Sequence, residues 1–283
     1  MNKELAEKLG SLKEYFENRQ DVEMAFLFGS RAKGQETSES DADIAVYFKP
    51  KSGQLEWEDE TEYENESKIW SDIEKILGIN TDFIVLNRAP STLADSIIRE
   101  GEPIIIKNKK LYFDFFLRAT STAADFREFV KDFWEIKERS QSLSPQDKER
   151  LTRIVDFLKT ELKDIDKFKD LDQKTYERNT DVRRSAERWA ENIVNASIDI
   201  AKILLASNKA KIPQTYKEVI QKLPLVLDFD EKSASGIAEF TKLRNVLAHE
   251  YLDMRFNQIK KFIDTMGMPY EHLVDYTIKI LQK

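Results

Sequence analysis

Apolar positions in the first half of the chain alternate between helical stripes and short continuous runs. Leu5, Leu9, Leu12, Tyr15 and Phe16 recur at helical spacing and predict an amphipathic helix over 4–18. Residues 22–28 and 43–48, mostly apolar, read as strands. Residues 63–77 carry a second helical stripe that stops near Gly78. A third strand is predicted over 81–86. A short helix follows over 90–99, with Pro90 near its first turn, and then a short strand over 103–106. Residues 51–62 are polar and acidic and predict an exposed loop.

From residue 111 the pattern changes. Residues 111–139 form one long helical stretch with Tyr112, Phe113, Phe115, Phe116, Phe126, Phe129, Phe133 and Trp134, expected to pack in a core. Residues 140–145, Ser-Gln-Ser-Leu-Ser-Pro, read as a linker. Nothing beyond them reads as strand. Helices are predicted over 147–169, 181–207, 216–223, 232–250, 257–266 and 269–281, which makes a helical bundle. The expected architecture is an α+β domain over 1–140 followed by an all-α domain over 141–283.

Composition narrows this only a little. A chain of 283 residues is long enough for two domains, and its lack of cysteine excludes disulfides and thiolate metal sites. Charged residues make up 34%, but hydrophobic residues reach 41%, so the chain buries a core. It opens without an apolar signal core, and no stretch reaches the roughly 18 apolar residues of a membrane span. A cytoplasmic protein without a membrane partner is expected. Residues 1–140 carry a net charge of −9 and residues 141–283 a net of +2. Bulk charge therefore favours nucleic-acid binding in neither half, and RNA on the bundle would need a local basic patch.

The first candidate chemistry joins two of the predicted strands. Gly29-Ser30 ends one, and after ten residues Asp41 and Asp43 open the next. Residues i and i+2 of a strand share a face, so Asp41 and Asp43 present two carboxylates side by side, with Ala42 and Ile44 turned inward. Like charges this close repel unless a cation sits between them. Two carboxylates plus phosphate oxygens are a usual Mg²⁺ environment. Gly29 lets the backbone approach a phosphate, and Ser30 offers a hydroxyl and an N–H where a helix start would favour an anion. Arg31 and Lys33 are further candidate phosphate contacts, or solvated cations. Phosphate on one side and metal carboxylates on the other point to nucleotidyl transfer.

The joined pattern, Gly29-Ser30 followed by Asp41-x-Asp43 with strands at both ends, resembles the signature of minimal nucleotidyltransferases of the DNA polymerase beta superfamily. The resemblance implies ATP as substrate and Mg²⁺ as cofactor. It also implies a third carboxylate on a neighbouring strand, which completes the metal site or helps deprotonate the acceptor hydroxyl. Asp82, directly before Phe-Ile-Val-Leu, stands at the matching place; its plainer reading is a strand cap. Residues 99–104 resemble the closing strand of these small transferases.

A second constellation lies in the bundle, at Lys242-Leu243-Arg244-Asn245-Val246-Leu247-Ala248-His249-Glu250-Tyr251. Arg244 can hold a phosphate bidentately, His249 can act as acid or base near neutral pH, and Asn245 can orient either. Helix positions five apart differ by about 140°, so Arg244 and His249 do not share a face, whereas Arg244 and Tyr251 do. The same residues can also form a polar network tying a bundle together. His272 reads as a surface or packing residue. The spacing of Arg, four residues, His, one residue and Tyr resembles the active motif of HEPN ribonucleases in their toxin subgroup. Residues 145–255 are similar to that subgroup throughout, as at 186–192, 201–205 and 216–218. The resemblance implies a homodimer through the bundle, with both motifs facing one cleft.

The two resemblances together are those of a transferase antitoxin and a HEPN toxin, the MntA–HepT type of pair, joined here in one polypeptide. They imply transfer of AMP from ATP onto Tyr251, in the same chain or a second copy, which neutralises an RNase that acts on RNA. Two other readings remain open on the sequence. One is a kanamycin-type transferase whose helical domain binds a small hydroxylated acceptor. The other is a non-catalytic nucleotide-binding scaffold.

Overall fold

A computed structural model describes residues 3–35, 40–51, 55–58, 60–249 and 255–282. The chain divides into two units, Met1–Arg127 and Glu128–Lys283. The first contains α1 (Lys3–Glu17), β1 (Val22–Phe28), α2 (Gly29–Ala32), β2 (Ala42–Phe48), α3 (Glu66–Leu77), β3 (Thr81–Val85), α4 (Ser91–Glu100), β4 (Glu102–Ile106) and the start of α5 (Lys109–Arg139). The strands form one sheet in the order β3-β2-β1-β4. Strand β1 runs antiparallel to β2 and β4, while β2 and β3 are parallel. A parallel step needs a crossover, and α3 supplies it.

Both faces of this sheet are covered. Leu12 and Phe16 of α1, with Ile69, Ile73 and Leu77 of α3, pack on Ala25, Leu27, Ala42, Ile44 and Val46. Ala94, Ile97 and Ile98 of α4, with Phe115 and Ala119 of α5, pack on Met24, Phe26, Ala45 and Tyr47. Burial on both faces explains why residues 24–28 and 44–48 are continuously apolar and do not alternate. Helix α3 ends at Gly78, whose φ of +66° is the left-handed conformation that glycine adopts without penalty.

The predicted exposed loop at 51–62 is corrected where it is described; residues 52–54 and 59 lie outside the described residues. Trp57 is buried, and its indole N–H donates to the Ala89 carbonyl at 3.0 Å. The Tyr47 hydroxyl donates to the Glu56 carbonyl at 2.7 Å. The acidic neighbours of Trp57 concealed an apolar anchor for the segment. The aromatic stretch of α5 is also only partly core: Phe115, Phe126, Phe129 and Phe133 are buried, but Phe113 and Trp134 are exposed.

The second unit continues α5 and adds α6 (Pro145–Lys163), α7 (Gln173–Arg178), α8 (Thr180–Ser207), α9 (Tyr216–Gln221), α10 (Leu223–Val226), α11 (Glu231–Ala238), α12 (Thr241–His249), α13 (Phe256–Thr265) and α14 (Gly267–Leu281). Its described residues include no strand. Helix α8 is buried almost all round from Ala196 to Ser207, and α6, α9, α12, α13 and α14 pack on it. An all-round apolar helix is a central one. Lys202 is buried in this helix and forms ion pairs with Asp132 and Asp199, both at 2.7 Å. Asp132 also pairs with Arg150 at 2.7 Å.

The helix predicted over 232–250 is two helices. Phe240 turns inward and meets Phe262 edge-on at 5.1 Å, and the Thr241 hydroxyl donates to the Ala238 carbonyl at 2.8 Å. The polypeptide thereby restarts as α12 at Thr241. His272 packs beside Phe229, with its Nδ1 2.9 Å from the Ser233 hydroxyl, in keeping with a packing role. Among the described residues, no helix is long and apolar enough to cross a membrane.

Candidate active sites

Strand pairing assembles the first site. Phe28, the last residue of β1, is in register with Asp43, and Asp43 is in register with Asp82 across the parallel pair. The turn at Gly29, the carboxylate of Asp43 and that of Asp82 therefore lie in sequence across three neighbouring strands. Asp43 shares its face with Ala45 and Tyr47, and Ala42 and Ile44 are fully buried on the other. Asp41 precedes β2 and is exposed, as is Asp82, while Asp43 is half-buried.

Gly29 has a φ of +71°. A Cβ built on it would overlap the Asp43 carboxylate, with the Asp43 Cγ at 2.7 Å. Glycine is thus required twice at this position, by the backbone conformation and by the close approach of the acid. The short α2 that follows carries Ser30 in its first turn, and its N-cap Phe28 makes no side-chain capping bond.

Burial raises the pKa of the Asp43 carboxyl, and the charges of Asp82 and then Asp41 raise it further, against an opposing effect of Arg31. A divalent cation would relieve the opposition that the neighbouring carboxylates place on ionisation of Asp43. Among the described residues no group of three acidic, histidine or cysteine side chains is placed to hold a metal ion. Mg²⁺ is ordinarily held by one or two carboxylates, with phosphates and water filling the other positions, so the pair Asp41 and Asp43 fits that ion.

Arg31 and Lys33 are both engaged within the protein. Arg31 Nε donates to the carbonyls of Ser40 and Asp41, each at 3.0 Å, and a second guanidinium nitrogen donates to Ser40 as well. Lys33 pairs with Glu100 at 2.5 Å. The sequence contained no signal for the Arg31 contact, because a carbonyl acceptor has no residue type.

The second constellation sits on α12, against α8 and α9. The Arg244 guanidinium lies over the ring of Tyr216, with Cζ 4.3 Å from the centroid. Tyr216 is buried and meets Phe129 edge-on at 5.5 Å. Asn245 is buried. His249 is the last described residue of α12, but its side chain, like the whole of Tyr251, lies outside the described residues. Tyr216 was not singled out as a partner of Arg244, since no spacing rule links residues on different helices.

Comparison with known proteins agrees with this division. Residues 10–110 match the family described as polymerase beta, nucleotidyltransferase, and residues 158–274 match ribonuclease HepT-like. No curated protein matches the chain. Among solved structures, a toxin–antitoxin with AMP-PNP is 19% identical over 44% of this chain and 96% of its own, with a TM-score of 0.35. A tri-AMPylated Shewanella oneidensis HEPN toxin in complex with MNT antitoxin is 16% identical over 46% of this chain and 97% of its own, with a TM-score of 0.33. An MntA–HepT toxin–antitoxin is 17% identical over 45% and 96%, with a TM-score of 0.32. The chain carries a polymerase beta nucleotidyltransferase domain in its first half and a HepT-like HEPN domain in its second.

Proposed function

We propose that the first domain transfers AMP from ATP to the hydroxyl of Tyr251, in the same chain or a second copy, and so silences an RNA-cleaving site in the HEPN domain. The observation that carries this reading is the alignment of the Gly29 turn with Asp43 and Asp82 across adjacent strands. Gly29 and Ser30 grip the outer phosphates. Asp41 and Asp43 would hold Mg²⁺, which when bound neutralises the triphosphate and the departing pyrophosphate. The tyrosine oxygen attacks the α-phosphorus in line, the bond from that phosphorus to the bridging oxygen breaks, and pyrophosphate leaves. Asp82 orients the hydroxyl and takes its proton.

In the HEPN domain, Arg244 holds the scissile phosphate, Asn245 orients the neighbouring groups, and His249 moves the proton without a metal. A bundle-mediated homodimer brings two such motifs to one RNA. AMP on Tyr251 adds a bulky anion two residues from His249 and repels the RNA backbone.

Incubation with labelled ATP and Mg²⁺ is expected to label the protein, with the label mapping to the peptide that contains Tyr251. Asp43→Ala is expected to abolish labelling. Unchanged labelling in that variant discards the assignment of the site.

A further inference from the structure

We infer that Arg31 is a positioning residue that sets where Asp41 stands relative to Asp43, and that it is not a phosphate ligand. The inference rests on the nucleotidyl-transfer reading, since it concerns the same carboxylates. Ladder pairing of β2 with β1 begins at Asp43, where Phe28 is its partner. Ala42 is held by its N–H, which donates to the Asn80 carbonyl at 3.0 Å. The carbonyls of Ser40 and Asp41 lie just ahead of the strand and are held by Arg31, from the turn that also carries Gly29 and Ser30.

One guanidinium thus ties the phosphate-gripping turn to the start of the acidic strand. Its planar fork suits two neighbouring carbonyls, and Nε and one terminal nitrogen are already committed to them. A phosphate ligand would have to give up this tie or use the remaining nitrogen. Lysine is a point donor and cannot hold both carbonyls in one geometry. Replacing Arg31 by Lys keeps the charge beside the nucleotide and removes the strap, which separates the two roles.

The experiment compares full-length wild type, Arg31→Lys and Arg31→Gln in three measurements. The first is affinity for a non-hydrolysable ATP analogue in the presence of a chelator. The second is affinity for Mn²⁺ at saturating analogue, followed by the signal of free Mn²⁺. The third is amide exchange at 41–43 against 24–27. A positioning role predicts that Arg31→Lys keeps analogue affinity within about twofold without metal. It also predicts that the variant loses about tenfold or more in Mn²⁺ affinity, the range for a residue supporting metal ligands. Exchange at 41–43 then rises while 24–27 stays protected, which shows that the sheet has folded.

A tenfold loss of analogue affinity without metal, with Mn²⁺ affinity and exchange unchanged, overturns the inference and makes Arg31 a phosphate ligand. Unchanged behaviour of both variants in all three measurements overturns it too. Failure of the underlying reading looks different: Asp43→Ala then binds Mn²⁺ as wild type does, whatever Arg31 does.

Discussion

The Asp43 carboxylate lies against the α-carbon of Gly29, in the space that a side chain at position 29 would fill. The acid and the Gly29 turn are therefore one packed unit. Gly29→Ala would place a methyl group there and hold it in a left-handed conformation that costs about 1–2 kcal/mol. Labelling by ATP is expected to fall about 100-fold or more as the acid is displaced, while the melting temperature drops by only a few degrees. A rate within threefold of wild type would show that Asp43 is not in the reaction.

Asp82 faces Asp43 in register, and its charge contributes to the raised pKa of that carboxyl. Removing the charge in Asp82→Asn lets Asp43 ionise at lower pH. The acidic limb of the labelling rate against pH should then move down, while the plateau falls about 100-fold for loss of the proton acceptor. A limb that stays in place would mean that the two carboxylates do not interact in the working enzyme.

Tyr216 supports Arg244 by its ring face. Tyr216→Phe should therefore cleave RNA within about threefold of wild type. Tyr216→Leu should lose about tenfold, in line with a cation–π contact of roughly 1.4 kcal/mol. Both are compared at matched folded fraction by circular dichroism. Equal loss in the two variants would assign the effect to the hydroxyl.

Burial pushes the Asp132 carboxyl up, but hydrogen bonds from Arg150 and Lys202, with their charges, together outweigh it and hold the pKa down to about 2. A folded-state pKa below the unfolded value of 3.8 means that the stabilisation is present above 3.8 and is lost as pH falls towards 2. Asp132→Asn is expected to destabilise the helical domain by about 1–2 kcal/mol at neutral pH, after allowance for solvent screening. The difference should shrink as pH falls from 4 to 2 in urea titrations. A constant difference over that range would count against the ion-pair origin.

Local signals carried much of the fold. The strands at 22–28 and 43–48 and the stop at Gly78 were readable because each depends on neighbours within a few residues, whereas the linker expected over 140–145 already contains the Ser144 cap and Pro145 start of α6. The exposed loop expected over 51–62 fails at Trp57, whose burial depends on Ala89, far away in the chain. The break between α11 and α12 was missed because Phe240 is drawn inward by Phe262, across the bundle.

The residue types at 29, 30, 41, 43 and 82, and at 244, 245, 249 and 251, were determined by the sequence itself, along with the α+β and all-α character of the two halves. Tertiary structure decided which of them meet. Strand register set Asp82 beside Asp43, a close approach made Gly29 obligatory, and backbone carbonyls claimed Arg31. The physical reason is that periodicity reports which face a side chain takes, whereas register and carbonyl positions come from pairing between segments that carry no mark of one another.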